Sequence, residues 1–193
     1  MCSGKFDAGT TGSQDVGGGM DVNTLLISGL LASLVASSGV LANDDIVALQ
    51  LGAPADSEKL DIFTADVKYH RMFWRWGDVG CQFGIGVRGG MLKVGEEYTT
   101  RLGGGVRTEC LWGRWLIWIP AEMVWLAEHE FGHRGNGFKD YGGPFQYVLG
   151  IGLGYELTEN WWLGYQYEHM SNANMYEQNP GLDAHMLQVE YRF

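Results

Sequence analysis

Cysteine, proline and basic residues are all scarce in this 193-residue chain, and two of these shortages exclude classes of protein. The three cysteines, Cys2, Cys81 and Cys110, are odd in number and form no CxxC pair, so they predict neither a disulfide framework nor a zinc site. Packed small residues are the favoured interpretation, with pairing of Cys81 and Cys110 left open. The formal net charge of -10 argues against a nucleic-acid partner, because binding phosphates requires a surplus of cations.

Long apolar runs are also scarce, since residues 24–42 form the only one. This run is rich in Ser, Ala and Gly and ends in Val40-Leu41-Ala42, which resembles a secretory signal peptide more than a membrane span. The preceding Gly-rich residues 1–23 count against this interpretation, because a signal peptide should begin with a basic segment and Lys5 is their only cation. On the pattern of residues 24–42 we interpret residues 1–42 as a leader with a signal-peptide-like segment, and residues 43–193 as the mature domain.

Glycine and aromatic residues are abundant, and with only 4 Pro they favour strands. Beyond residue 43 no window keeps an apolar period of 3.6, whereas several alternate with period 2. Residues 145–157 are the clearest case, with apolar side chains at every odd position and small or polar residues between most of them. Residues 81–91 follow the same pattern.

The length of these apolar faces indicates a membrane barrel. Each face continues for about 10 residues, as a tilted strand needs to cross a bilayer. The opposite faces carry Gly and charges, which suits a narrow, filled, polar lumen. These charges are Arg88, Arg107, Glu109, Glu156, Glu168, Glu190 and Arg192. Aromatic residues near strand ends predict interfacial girdles, namely Phe73, Trp74, Trp76, Trp112, Trp115, Trp161 and Trp162.

Turn signals divide the mature domain into about eight strands. They lie near residues 45–53, 60–75, 79–93, 102–112, 115–131, 143–157, 160–172 and 183–193. The predicted fold is all-β, an eight-stranded antiparallel transmembrane β-barrel. Its last strand ends on Phe193, which shares a strand face with Tyr191. In this it resembles outer-membrane proteins, many of which end on an aromatic residue. The expected location is the bacterial outer membrane.

Three polar residues interrupt the apolar faces of the last two predicted strands. The apolar parity of residues 161–167 continues to His169 and Ser171, and Asp183 shares the parity of residues 187–193. Residues i and i+2 of a strand point the same way about 7 Å apart, so an imidazole can lean onto a neighbouring hydroxyl. The set supplies a nucleophile, a base and an orienting carboxylate.

An oxyanion could be stabilised by the residues that follow the serine. Asn172 offers a side-chain amide, and a backbone N–H lies near Ala173. The alternative interpretation is structural, because polar residues are ordinary where a strand rises into the headgroup region. The alternative function is therefore a non-catalytic barrel that serves as a structural or binding protein.

The segments Glu168-His169-Met170-Ser171-Asn172-Ala173 and Asn179-Pro180-Gly181-Leu182-Asp183 resemble motifs of the outer-membrane lipid A 3-O-deacylases, the PagL family. The resemblance implies that His169 and Ser171 are catalytic, that Asp183 stands where the family usually carries Glu, and that Asn172 is an oxyanion donor. It also implies hydrolysis of the 3-position acyl ester of lipid A in lipopolysaccharide. The expected partners are this substrate and outer-membrane lipids, a homodimer is compatible with the prediction, and the chemistry requires no cofactor.

A competing motif, HExxH, is spelled by residues 129–133. On a helix it would place His129 and His133 one turn apart to hold zinc, with Glu130 as the general base of a metalloprotease. The Gly-rich residues 134–143 argue against a continuing helix, and residues 115–127 alternate like a strand. We favour a strand end that runs into a loop, with the zinc protease as the weaker alternative.

Overall fold

The computed structural model describes residues 45–76, 80–133 and 137–193. Their main element is a closed eight-stranded β-barrel. The strands are β1 (Asp45–Pro54), β2 (Ile62–Trp76), β3 (Cys81–Val94), β4 (Glu97–Trp112), β5 (Trp115–Leu126), β6 (Glu130–Gly132), β7 (Phe138–Asp140), β8 (Phe145–Glu156), β9 (Trp161–Ser171) and β10 (Leu182–Arg192).

All neighbouring barrel strands pair antiparallel, in the closed order β1-β10-β9-β8-β5-β4-β3-β2. The short strands β6 and β7 form a separate hairpin in the connection between β5 and β8. The structure thus confirms the predicted fold class. The predicted leader and signal-peptide-like segment lie outside the described residues. Within the described part of the chain, no helix is long and apolar enough to cross a membrane.

The alternation of side chains is inverted relative to a soluble barrel. In β9 each odd-numbered residue from Trp161 to His169 is exposed and each even-numbered residue is buried. The exposed set is mostly aromatic or apolar, whereas the buried set includes Gln166 and Glu168. An apolar exterior around a polar interior is the arrangement that a lipid environment stabilises. The period-2 pattern therefore predicted both the strands and the side of each strand that faces lipid.

Charged side chains fill the middle of the lumen. The Arg88 guanidinium donates to the two carboxylate oxygens of Glu168 at 3.0 and 2.8 Å, and it also pairs with Asp66 and Glu122. Lys68 Nζ lies 3.6 Å from the Glu122 carboxylate. Opposite charges thus offset one another where they are removed from water. A second buried group consists of Arg107, Glu109, Glu190 and Arg192.

An apolar cluster closes the end of the barrel that carries the β9–β10 connection. Met170 and Leu182 contribute to it from the barrel wall. The β6–β7 hairpin region adds Phe131 and Tyr141, whose rings meet edge to face with centroids 6.1 Å apart. The hairpin region is therefore packed onto this end of the barrel through buried aromatic rings.

The structure corrects several sequence predictions. β5 ends at Leu126 rather than near residue 131, and β4 begins at Glu97 rather than near residue 102. The extra β4 residues continue the inward and outward alternation, with Thr99 and Arg101 buried. Trp162 was predicted to join an interfacial girdle, but it is buried and its ring lies 5.0 Å from the Arg192 guanidinium.

The predicted chemistry of the cysteines was also wrong. Cys81 and Cys110 are direct register partners on β3 and β4, with Cα atoms 4.0 Å apart, and they form a disulfide. The sequence separation of 29 residues gave no sign of this pairing, because only the strand register brings the two thiols together. A disulfide is expected in a compartment outside the reducing cytosol.

Candidate active site

The register between β9 and β10 brings two of the three predicted catalytic residues together. Asp183 and His169 are directly opposed partners in this antiparallel pair. Both lie on the outward parity, as do the exposed neighbours Tyr165 and Leu187. The pair therefore stands on the outer wall, near the end of the barrel that carries the β9–β10 connection.

The imidazole and the carboxylate are in direct contact. His169 Nδ1 lies 2.8 Å from Asp183 Oδ1, with about half of the imidazole and a third of the carboxylate side chain exposed. With the proton on Nδ1, the imidazole donates to the carboxylate and keeps a lone pair on Nε2. This is the tautomer that a general base needs in order to accept a proton from a serine.

Ser171 follows His169 by two residues on the same strand and shares its outward parity. The two Cα atoms are about 7 Å apart in such an arrangement. Ser171 is half-buried, opposite Tyr147 of β8. Among the described residues no hydrogen bond joins Ser171 to His169; such bonds are often long in sites without substrate. The structure thus brings His169 and Asp183 into contact and places the serine beside them.

Asn172 is oriented differently from the prediction. Its side chain is fully buried, and Nδ2 donates to the carbonyl oxygens of Tyr141 at 2.9 Å and Gln178 at 2.5 Å. Its backbone N–H donates to Asn179 Oδ1 at 3.1 Å. In this arrangement the side-chain amide has no hydrogen left for an oxyanion. The reason is parity, because the residue after the outward Ser171 points inward.

The backbone turns sharply immediately after Asn172. Ala173 and Asn174 have φ angles of 50° and 63°, a left-handed conformation that non-glycine residues seldom adopt. Within the described part of the chain, the N–H of Ala173 makes no hydrogen bond. Of the two predicted oxyanion donors, the structure therefore leaves the backbone donor free and the side-chain donor occupied.

Two further residues lie next to the His169–Asp183 pair and were missed by the sequence analysis. The Tyr167 hydroxyl interacts electrostatically with the Asp183 carboxylate. Gly181 has a φ of 65°, and a Cβ there would lie 3.5 Å from the His169 ring, an ordinary contact distance. The outward parity of Tyr167 was visible in the sequence, but its contact with Asp183 depends on the register.

The HExxH segment does not form the helical zinc motif. His129 precedes β6 and His133 follows it, so the two imidazoles are not one helical turn apart. His129 Nδ1 instead lies 3.7 Å from Asp140 Oδ1 on the neighbouring strand β7. The structure thus contradicts the geometry on which the zinc-protease alternative depended.

Known proteins support the interpretation of the last strands. A family model described as Lipid A 3-O-deacylase (PagL) matches residues 114–192. The lipid A deacylase PagL of Bordetella bronchiseptica is 46% identical over 85 residues, which cover 39% of this chain and 48% of that protein. The resemblance to the PagL family is confirmed. The match spans about half the length of that curated relative.

A solved structure agrees with the barrel. The crystal structure of the outer membrane enzyme PagL aligns with a TM-score of 0.54 and 15% sequence identity, and the alignment covers 77% of this chain and 99% of that one. At this identity the similarity concerns the fold. Together with the PagL match and the outward apolar wall, the fold assigns the protein to the bacterial outer membrane.

Proposed function

We propose that the protein is an outer-membrane serine esterase that removes the 3-position acyl chain of lipid A. The observation that carries the proposal is the contact of His169 with Asp183 on the outer wall of the barrel, beside Ser171. Polar groups on a lipid-facing wall are costly and are often functional. The PagL relatives supply the substrate class, because their names describe lipid A deacylation.

The position of the site suits a lipid that stays in its membrane. Outer-membrane barrels have short periplasmic turns and longer outer loops. The end with the site carries the longer connections, including residues 127–144 and 172–181. The site therefore faces the outer leaflet, where lipopolysaccharide resides. An acyl chain can lie along the exposed apolar side chains of Leu149 and Leu187 while the sugar remains among the headgroups.

The chemistry is an acyl transfer in two steps. His169 Nε2 takes the proton of Ser171 as Oγ attacks the ester carbonyl, and Asp183 stabilises the imidazolium that forms. The tetrahedral intermediate collapses, the bond to the sugar oxygen breaks, and His169 returns the proton to that oxygen. A water molecule, deprotonated by His169, then attacks the acyl-serine. The fatty acid leaves and Ser171 is restored.

The oxyanion is stabilised by the backbone in this proposal. Since the N–H of Asn172 is bonded to Asn179, the N–H of Ala173 is the next backbone donor after Ser171 that has no partner among the described residues. The Asn172 side-chain amide holds the loop to the carbonyls of Tyr141 and Gln178. A preorganised N–H donor strengthens its interaction as negative charge develops, which lowers the barrier. Asn172 then acts as a positioning residue that fixes the backbone of Ala173.

Mass spectrometry of lipid A tests the proposal directly. Cells that express the wild type are expected to lose one ester-linked hydroxyacyl chain, and cells that express Ser171→Ala or His169→Asn are expected to retain it. Ser57→Ala is a matched control, since this serine lies in the β1–β2 connection, outside the site. Unchanged lipid A in cells with folded wild-type barrel would instead favour the non-catalytic alternative.

A further inference from the structure

The β6–β7 hairpin gathers three side chains that can ligate a metal ion. His129 lies just before β6, Glu130 begins it, and Asp140 ends β7. Glu130 and Asp140 are direct register partners. One ligand atom from each of the three residues lies within 4.8 Å of the other two. We call these three residues the hairpin cluster.

The backbone holds this cluster in place. Tyr141 N–H donates to the His129 carbonyl at 2.9 Å, and Gly142 N–H donates to Asp140 Oδ1 at 2.7 Å. Phe131 and Tyr141 anchor the hairpin in the apolar cluster at the barrel end. The positions of His129 and Asp140 are therefore set by buried neighbours, whereas the exposed Glu130 side chain is free to rotate toward them.

A buried imidazole nitrogen without a hydrogen-bond partner in the described part of the chain supports ligand binding at the hairpin cluster. His129 Nδ1 is buried and has no hydrogen-bond partner among the described residues, although it lies 3.7 Å from Asp140 Oδ1. A buried ring nitrogen normally has a partner. Ligands of a tetrahedral zinc ion with bonds near 2.1 Å are about 3.4 Å apart, so the spacing between Nδ1 and Oδ1 is already close to that of a metal site.

We infer that the hairpin cluster binds a divalent transition-metal ion of the zinc type. One imidazole nitrogen and two carboxylates suit zinc, whereas calcium and magnesium prefer oxygen ligands alone. Three protein ligands leave one position for water. Glu130 is a ligand here, not the general base of a protease, and the inference is independent of the proposed esterase activity.

The ion would act on the connection that holds Asn172 in place. Asp140 directly precedes Tyr141, whose carbonyl accepts a hydrogen bond from Asn172, the residue after Ser171. Fixing Asp140 therefore restrains a hydrogen bond made by the residue next to the candidate nucleophile. Binding to the folded state alone also stabilises that state by mass action.

Calorimetric titration of Zn²⁺ into the full-length, tag-free protein in detergent tests the site. One ion per chain is expected for the wild type, with affinity reduced at least about 10-fold in Glu130→Gln and Asp140→Asn, since each change weakens or removes a ligand. Glu130→Gln keeps the inference testable even if Asp140→Asn fails to fold, because Glu130 is exposed. Zinc should also raise the midpoint of thermal unfolding of the wild type by more than that of Glu130→Gln.

Two control variants locate the ion. His133→Ala removes an exposed imidazole of the same connection, and His169→Asn removes the other His–carboxylate pair described above. Both should bind zinc as the wild type does. The inference is overturned if the wild type binds no stoichiometric zinc, if His169→Asn abolishes binding, if Glu130→Gln binds unchanged, or if Ca²⁺ competes equally well.

Discussion

Asp183 and His169 face each other across β9 and β10, and the carboxylate oxygen lies 2.8 Å from Nδ1 of the imidazole. Directly opposed residues of an antiparallel pair have Cα atoms about 4.5–5.5 Å apart. A short side chain is therefore long enough to reach the imidazole. Asp183 therefore reaches the imidazole without the longer side chain of a Glu.

We expect Asp183→Asn to reduce kcat for deacylation by about 10²–10⁴-fold, because the amide neither fixes the tautomer of His169 nor stabilises its positive charge. Asp183→Glu should retain more activity than Asp183→Asn, since the negative charge is kept. Initial rates on purified lipopolysaccharide in detergent measure both variants. A wild-type rate for Asp183→Asn would show that the carboxylate has no part in the reaction.

Tyr167→Phe removes a hydroxyl that interacts electrostatically with the Asp183 carboxylate, while it keeps the ring on the lipid-facing wall. We expect a severalfold fall in kcat, much smaller than that of Asp183→Asn, with little change in thermal stability, because the hydroxyl acts on the reaction only through the carboxylate. The matched control is Tyr165→Phe, whose hydroxyl contacts His185 Nδ1 at 2.5 Å instead of Asp183. Equal losses in the two variants would argue against a specific role of Tyr167.

Asn172→Ala separates a positioning role from an oxyanion role. Its loss leaves the Gln178 carbonyl without its donor, at a cost of about 1–3 kcal/mol if that carbonyl stays buried, whereas the Tyr141 carbonyl keeps its hydrogen bond from Gln146 Nε2. We therefore expect a lower thermal midpoint and faster hydrogen exchange in residues 172–181, together with reduced activity. A variant with impaired catalysis but unchanged exchange would instead support the side-chain oxyanion donor predicted from the sequence.

The sequence predicted the placement of the site because alternation holds along a strand. Once residues 161–167 were assigned to the lipid face, the outward position of His169 and Ser171 followed from parity. The same parity turns Asn172 inward, and it was not applied when the Asn172 amide was assigned to the oxyanion. Loop packing produces the left-handed φ angles of Ala173 and Asn174. It also produces the hydrogen bonds from Asn172 to the carbonyls of Tyr141 and Gln178. No local sequence pattern encodes this packing.

Side-chain contacts between neighbouring strands were the other gap. The Cys81–Cys110 disulfide and the approach of Tyr167 to Asp183 both depend on register, which alternation alone does not determine. Most of β6 was merged with β5, because residues 127–131 contain no Gly, Pro, Asn or Asp to mark a turn, and β7 was assigned to the Gly-rich loop of residues 134–143. Strand number and facing were thus predictable, whereas partners and connections required the closed barrel.

Trp118 explains why one stretch of the lumen is lined with glycine. The indole of this inward residue lies against Gly152 and Gly164, where an added Cβ would overlap it. The ring is almost fully buried, and Nε1 donates to Gln166 Oε1 at 2.7 Å. Gly152 of β8 and Gly164 of β9 therefore provide space for one large side chain from β5.

Gly152→Ala should accordingly force the indole of Trp118 to move and break its hydrogen bond with Gln166. Overpacking of this kind costs about 1–3 kcal/mol, so we expect a lower urea midpoint in detergent and a shift in tryptophan fluorescence. Gly89→Ala is the matched control, because a Cβ at that strand position meets only Leu102 Cδ2, at the ordinary contact distance of 3.4 Å. If both variants unfold at the wild-type midpoint, the lumen accommodates an added methyl group beside Trp118. The packing of Trp118 then does not explain the glycine at residue 152.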